Sequence, residues 1–127
     1  MRDLFNNIGA ALALAPAVQA SAVTGPAIDL LGVGRIAFAV TTGAIVGAGD
    51  FGVTLQDSED GSTGWANVAA AEMQTNAPAT LAASAAYRLG YLGDKRFVRL
   101  SLTKTGGTSI AAGAVAVLGN TLDRPVA

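Results

Sequence analysis

Between Phe97 and Thr103 the chain alternates strictly, with Val98, Leu100 and Leu102 on one face and Phe97, Arg99, Ser101 and Thr103 on the other. A period of two marks a strand with one buried face and excludes a helix, whose apolar residues recur three and four apart. Just upstream, Tyr87, Leu89 and Tyr91 alternate against Arg88, Gly90 and Leu92, and Gly93-Asp94-Lys95 supplies the residues of a bend. The two runs predict a hairpin over Tyr87–Thr103. Five of the eight basic residues lie in and around it: Arg88, Lys95, Arg96, Arg99 and Lys104.

The same period recurs through most of the chain. Arg35 to Thr42 sets Ile36, Phe38 and Val40 against Ala37, Ala39 and Thr41, and Phe51, Val53 and Leu55 alternate with Gly52, Thr54 and Gln56. Shorter apolar pieces at Ala22–Thr24 and Ala27–Leu31 are separated by Gly25-Pro26. A last strand is expected over Ile110–Leu118, after a turn at Gly106-Gly107-Thr108. No long helical pattern follows residue 20. Short strands between Gly-rich turns predict an all-β domain over residues 21–127, an antiparallel β-sandwich of jelly-roll or immunoglobulin-like type.

Residues 1–20 read differently, as a short N-terminal arm or helix. Leu4, Phe5, Ile8 and Leu12 fall at helical spacing, and Pro16 would end a helix there. Such a segment either folds onto its own sheet or docks on a neighbouring subunit. Ile8–Ala15 has the length of a signal-peptide apolar region and Val18-Gln19-Ala20 resembles a cleavage site, but Asp3 cancels Arg2 where a leader is positive. The run is far shorter than the roughly 20 residues that span a bilayer, so no membrane partner is expected.

Composition narrows the chemistry. The 127 residues include no Cys and no His, which removes the thiol nucleophile, the commonest general base and the usual zinc ligands together. Eight basic and nine acidic residues give a formal charge of -1, without the positive excess that a nucleic-acid partner demands. Hydrophobic residues reach 51%, much of it Ala and Val beside 16 Gly, and only 13% are charged. Small, sparsely charged surfaces favour association over mutual repulsion, which points to a homo-oligomer or an assembly component.

The candidate sites resolve in the same direction. Asp57–Trp65, DSEDGSTGW, is an acidic run, but strands flank it and no closing Glu completes a calcium loop, so it reads as a solvated hairpin loop. Trp65 reads as a half-buried anchor beside that loop. Arg88, Arg96 and Arg99 are expected to pair with Asp57, Glu59, Asp60 and Asp94 within a subunit or across an interface, rather than to bind phosphate. Trp65, Tyr87 and Tyr91 form the alternative, a stacking platform for a sugar. Gly32-Val33-Gly34 lacks the remainder of a phosphate-loop fingerprint, and Ser62, Ser84 and Ser109 have no base to activate them. No catalytic, cofactor-binding or metal-ligating set emerges, so an enzyme is not expected.

Several ordered motifs carry a likeness. Thr24–Leu30 (TGPAIDL), Leu55–Thr63 (LQDSEDGST) with Trp65 and Val68 behind it, Tyr87–Arg99 (YRLGYLGDKRFVR), and Val117-Leu118-Gly119 with Arg124-Pro125 span about residues 20–125. Together they resemble a family of small virion structural proteins of tailed phages and prophages. The resemblance implies a β-sandwich subunit that decorates or cements the capsid surface or forms the base of a head spike. Its implied partners are the major capsid protein and its own copies, and its implied location is the virion, after synthesis in the host cytoplasm. Leu4, Phe5, Ile8, Leu12, Arg88, Arg96 and Arg99 are then the candidate shell or subunit contacts. A carbohydrate- or receptor-binding β-sandwich, and a head–tail connector or tail subunit, stand as alternatives.

Overall fold

The computed structural model describes residues 8–121. Over that span the chain forms ten strands and one turn of 3-10 helix at Ala70–Glu72. Sheet A contains β1 (Ile8–Gln19), β4 (Val33–Val46), β7 (Met73–Thr75), β8 (Ala86–Tyr91) and β10 (Ser109–Thr121), in the order β1-β10-β4-β8-β7. Sheet B contains β2 (Val23–Thr24), β3 (Ile28–Asp29), β5 (Asp50–Ser58), β6 (Ala66–Asn67) and β9 (Phe97–Gly106). There β2 and β3 share one side of β9, and β5 and then β6 lie on the other. Every pairing is antiparallel.

The pairs nest. With β2 and β3 taken as one strand broken at Gly25-Pro26, β1–β10 encloses β2/β3–β9, which encloses β4–β8, which encloses β5–β6. Nested antiparallel pairs rolled into two sheets are the jelly-roll topology, here with β7 added at an edge. The immunoglobulin-like alternative is thereby set aside.

Nesting also overturns the expected hairpin. Tyr87–Thr103 is not one: β8 pairs with β4 and β7, whereas β9 pairs with β2, β3 and β5, and residues 92–96 cross from one sheet to the other. Both alternations hold, since Leu89 and Tyr91 are buried from one side and Val98, Leu100 and Leu102 from the other. Periodicity fixes which face a strand buries. It does not say whether the next strand lies beside it or opposite it.

The N-terminal segment is the second correction. Ile8–Gln19 is not helical but a strand on the edge of sheet A, paired with β10 from Ile8↔Gly119 to Gln19↔Ile110. In so apolar a run the residues at helical spacing fit a strand equally well, and β10 offers a ladder to complete. Pro16 is tolerated because it falls in an irregular edge stretch, with register shifts between Leu12 and Leu14 and between Leu14 and Ala17. Ala13 and Leu14 enter the core. Removing residues 1–20 would therefore strip a strand from the sandwich rather than detach an independent arm.

Two close approaches tie the sheets together at their ends. Gly107, at φ +79°, carries the β9–β10 crossover so near the β4–β5 crossover that a Cβ would lie 2.4 Å from the Ala48 carbonyl oxygen. Gly25 donates its N–H to Leu100 O at 2.8 Å, and a Cβ there would meet Ala13 O at 1.7 Å. Gly25→Ala is expected to cost about 3 kcal/mol in urea denaturation, because backbone must shift. Gly64→Ala, where φ is +71° but nothing lies within 4 Å, should cost only about 1 kcal/mol.

Candidate functional site

The inner face of β10 is built from Ala112, Ala114 and Ala116, all buried, so alternate residues of this strand, paired on both sides, turn outward. On that outer face of sheet A the register lays two rows across the strands. Ala10, Val117, Ala37 and Gly90 form one; Leu12, Val115, Ala39 and Arg88 form the next. Leu12 is 53% exposed and Val115 42%, and Ala10 and Ala39 are exposed beside them. A third row ends in Arg35, paired with Gly119. The face is therefore apolar at its centre, carries Arg35 and Arg88 at its margins, and has no acidic residue in these rows. Beside it, Gln74, Asn76, Arg88 and Gly90 line a depression of about 430 Å³.

Acidic side chains have their uses elsewhere. Asp57 shares the parity of Phe51 and Leu55 and so points into the sandwich, where its Oδ2 accepts a 2.8 Å hydrogen bond from the Tyr91 hydroxyl of the opposite sheet. The same hydroxyl oxygen accepts the Lys95 N–H at 3.1 Å. Burial above all, then the Asp57 carboxylate, pushes the Tyr91 phenol well above its ordinary range. Asp60 instead organises the β5–β6 loop: Oδ1 accepts from the Ser62 and Thr63 N–H groups at 3.0 and 2.9 Å, and Oδ2 from the Thr63 hydroxyl at 2.8 Å. These donors, led by the Thr63 N–H, hold its carboxyl far below the usual carboxylate range. Ser58 Oγ accepts from Gly61 N–H and donates to Thr63 O, which closes the loop from below. Residues 59–65 form the expected hairpin loop, but Asp57 and Ser58, expected in solvent with them, are the buried last residues of β5.

The basic cluster of the sequence does not form one patch. Arg88 lies on sheet A, while Arg99 lies on sheet B, 4.2 Å from the Trp65 ring centroid and bonded through Nε to Gln56 Oε1 at 2.9 Å. Arg96 pairs with Asp29, two bonds of 2.8 Å each, rather than with the acidic loop or Asp94. Lys104 Nζ donates to Ala20 O. Trp65 is half-buried, as an anchor should be. Tyr87 and Tyr91 do not join it in a platform: both pack against the core, and the Tyr87 hydroxyl accepts the Ala82 N–H at 2.9 Å. Ile8 and Leu12 belong to β1, while Leu4 and Phe5 lie outside the described residues.

Val115 and Val117, which face together on the last strand, and Ala37, Ala39 and Arg35 are surface residues that the sequence reading does not name as a contact surface. The signal was present in Ile110–Leu118, which is apolar on both parities, the mark of a strand covered on both faces. Among the described residues no group of three or more acidic side chains is placed to hold a metal, and no helix is long and apolar enough to cross a membrane. No protein-family model matches the chain, and the comparison with curated proteins returns no match.

Two measurements probe these contacts. Tyr91→Phe leaves the Asp57 carboxylate buried without its donor and is expected to cost about 1–3 kcal/mol by urea denaturation, more than Asp57→Asn, which keeps an acceptor. For Asp29, the Arg96 guanidinium, helped by Leu31 N–H, lowers the carboxyl from 3.8 to about 2. A lowered folded-state pKa contributes stability above about pH 4 that is lost as pH falls through 2. With both side chains nearly half exposed, solvent screens the pair and its contribution is small. The stability gap between wild type and Asp29→Asn should therefore close between pH 4 and pH 2.

Proposed function

We propose that this chain is a non-catalytic structural subunit of a tailed-phage particle, decorating or cementing the capsid surface or forming the base of a head spike. The observation that carries this reading is the outer face of sheet A. Its apolar rows and arginine margins have the anatomy of a protein–protein interface, dry at the centre and charged at the rim. The partners are the major capsid protein and further copies of the chain, and the place of action is the virion. The ordered motifs of residues 20–125 support the same reading through their likeness to phage virion proteins. A jelly roll is compatible with it and equally with lectins, so the support comes from the surface and not from the fold.

A carbohydrate-binding module is the second reading. Its one support is half-buried Trp65 near the amides of Gln56 and Asn67, which bond each other at 3.2 Å, although Arg99 already lies over the indole ring.

Quantitative mass spectrometry of purified particles tests the first reading. The expected result is a copy number approaching one per shell subunit, or a fixed fraction confined to vertices. Leu12→Asp with Val115→Asp should keep the fold and weaken particle association about thirtyfold or more. A trace amount matching a single ring would move the chain to the connector or tail, and absence from particles would overturn the virion assignment in favour of the binding module.

A further inference from the structure

We propose that β1 is a self-pairing edge: Ile8–Leu12 of one subunit adds antiparallel to Ile8–Leu12 of a second copy about a two-fold axis. The two A sheets, of five strands each, then become one continuous sheet. This deepens the assembly reading above and rests on it only for where the dimer is used.

The inference starts from how the edges are finished. A free edge presents unpaired N–H and C=O groups to any extended chain, and folded proteins shorten, bend or cover such edges. Three of the four edges here are treated that way. β7 has three residues, β6 has two, and β2 and β3 have two each with Gly25-Pro26 between them. The part of β5 that β6 leaves bare is covered by the chain before β8, where Leu81 N–H donates to Phe51 O at 2.8 Å.

β1 is different. It runs twelve residues along its edge without one charge. Its C-terminal half is blunted by two register shifts, by Pro16, and by the Gln19 side chain, which donates to Ala15 O at 3.4 Å. Its N-terminal half is not: Ile8 to Leu12 keeps unbroken register with Gly119 to Val115. Among the described residues no side chain bonds the backbone of residues 8–12. Five regular residues offer about 17 Å of straight edge, whose alternate backbone groups point away from β10.

The occupant follows from length and charge. A head-to-tail contact would need a second edge strand of similar length, and the other edge strands have three residues at most. Only β1 matches β1, which makes the contact isologous and closed. Two antiparallel copies of an uncharged strand bring no like charges together. Pairing also carries the row of Ala10, Val117 and Ala37 across the axis, doubling the apolar face and making attachment to a shell bivalent.

The chain has no cysteine, so single-cysteine variants report the contact directly. Ile8→Cys, Ala10→Cys and Leu12→Cys are oxidised in the full-length protein, with Ser62→Cys in the β5–β6 loop as control. One edge position should form disulfide-linked dimer at least about tenfold faster than the control, since pairing brings Cα atoms within about 4.4–6.8 Å. Light scattering should give a dimer for the wild type and a folded monomer for Ala10→Lys. A monomer at every concentration, with edge cross-linking no faster than the control, overturns the pairing; so does cross-linking on particles to the shell protein instead of to itself. High copy number on particles without edge cross-links would sink the pairing and leave the virion role standing, whereas cross-linked dimers absent from particles would do the reverse.

Discussion

The whole sandwich depends on burying one face of β9. Val98, Leu100 and Leu102 are fully buried, and the strand that carries them is hydrogen-bonded on both sides, by β5 and by β2 with β3. Their cover is sheet A, in which β10 lies between β1 and β4. Two sheets stacked about 10 Å apart leave room for one interdigitated layer, so large side chains from one strand require small ones elsewhere. β10 supplies Ala112, Ala114 and Ala116, which is where the Ala-rich composition enters the core. The bond from Tyr91 to Asp57 pins the two sheets at a buried polar point, where an unpaired carboxylate would be expensive.

Much of this was legible in the residues. The alternations of Arg35–Thr42, Phe51–Gln56 and Phe97–Thr103 assign their buried faces correctly, with Ile36, Phe38, Phe51 and Leu55 all in the core. Partnership between strands was not legible, because nested pairing joins residues as far apart as Ile8 and Gly119 and no local pattern encodes it. The burial of Asp57 was within reach, since the parity that turns Leu55 inward turns Asp57 inward as well. Its chemical type argued for solvent, and only the Tyr91 hydroxyl across the core makes the inward position tolerable. The choice of Asp29 as partner for Arg96 likewise rests on β3 lying beside β9, which the sequence separates widely.

Sparse charge and abundant small apolar residues acquire a structural meaning on the outer face of sheet A. Strand β10 is apolar on both parities, yet a single chain covers only one of its faces. Its outward Val115 and Val117, with Leu12 and Ala37 beside them, make a surface whose burial against another protein would release water from side chains that have no polar use for it. Sheet B, by contrast, turns Arg99, Gln56 and Asn67 outward and satisfies them with one another and with Trp65. The two outer faces are thus chemically unequal.

The outermost nested pair also sets a timetable for the chain as it is made. β1 leaves the ribosome long before β10, to which all of its ladder belongs, so sheet A stays open until nearly all of the described chain has been synthesised. During that interval Ile8–Gln19 is an uncharged, strand-forming segment with no partner, the kind of sequence that chaperones retain and that aggregates when they do not. A finished sandwich therefore requires that β1 stay shielded until β10, its partner, arrives.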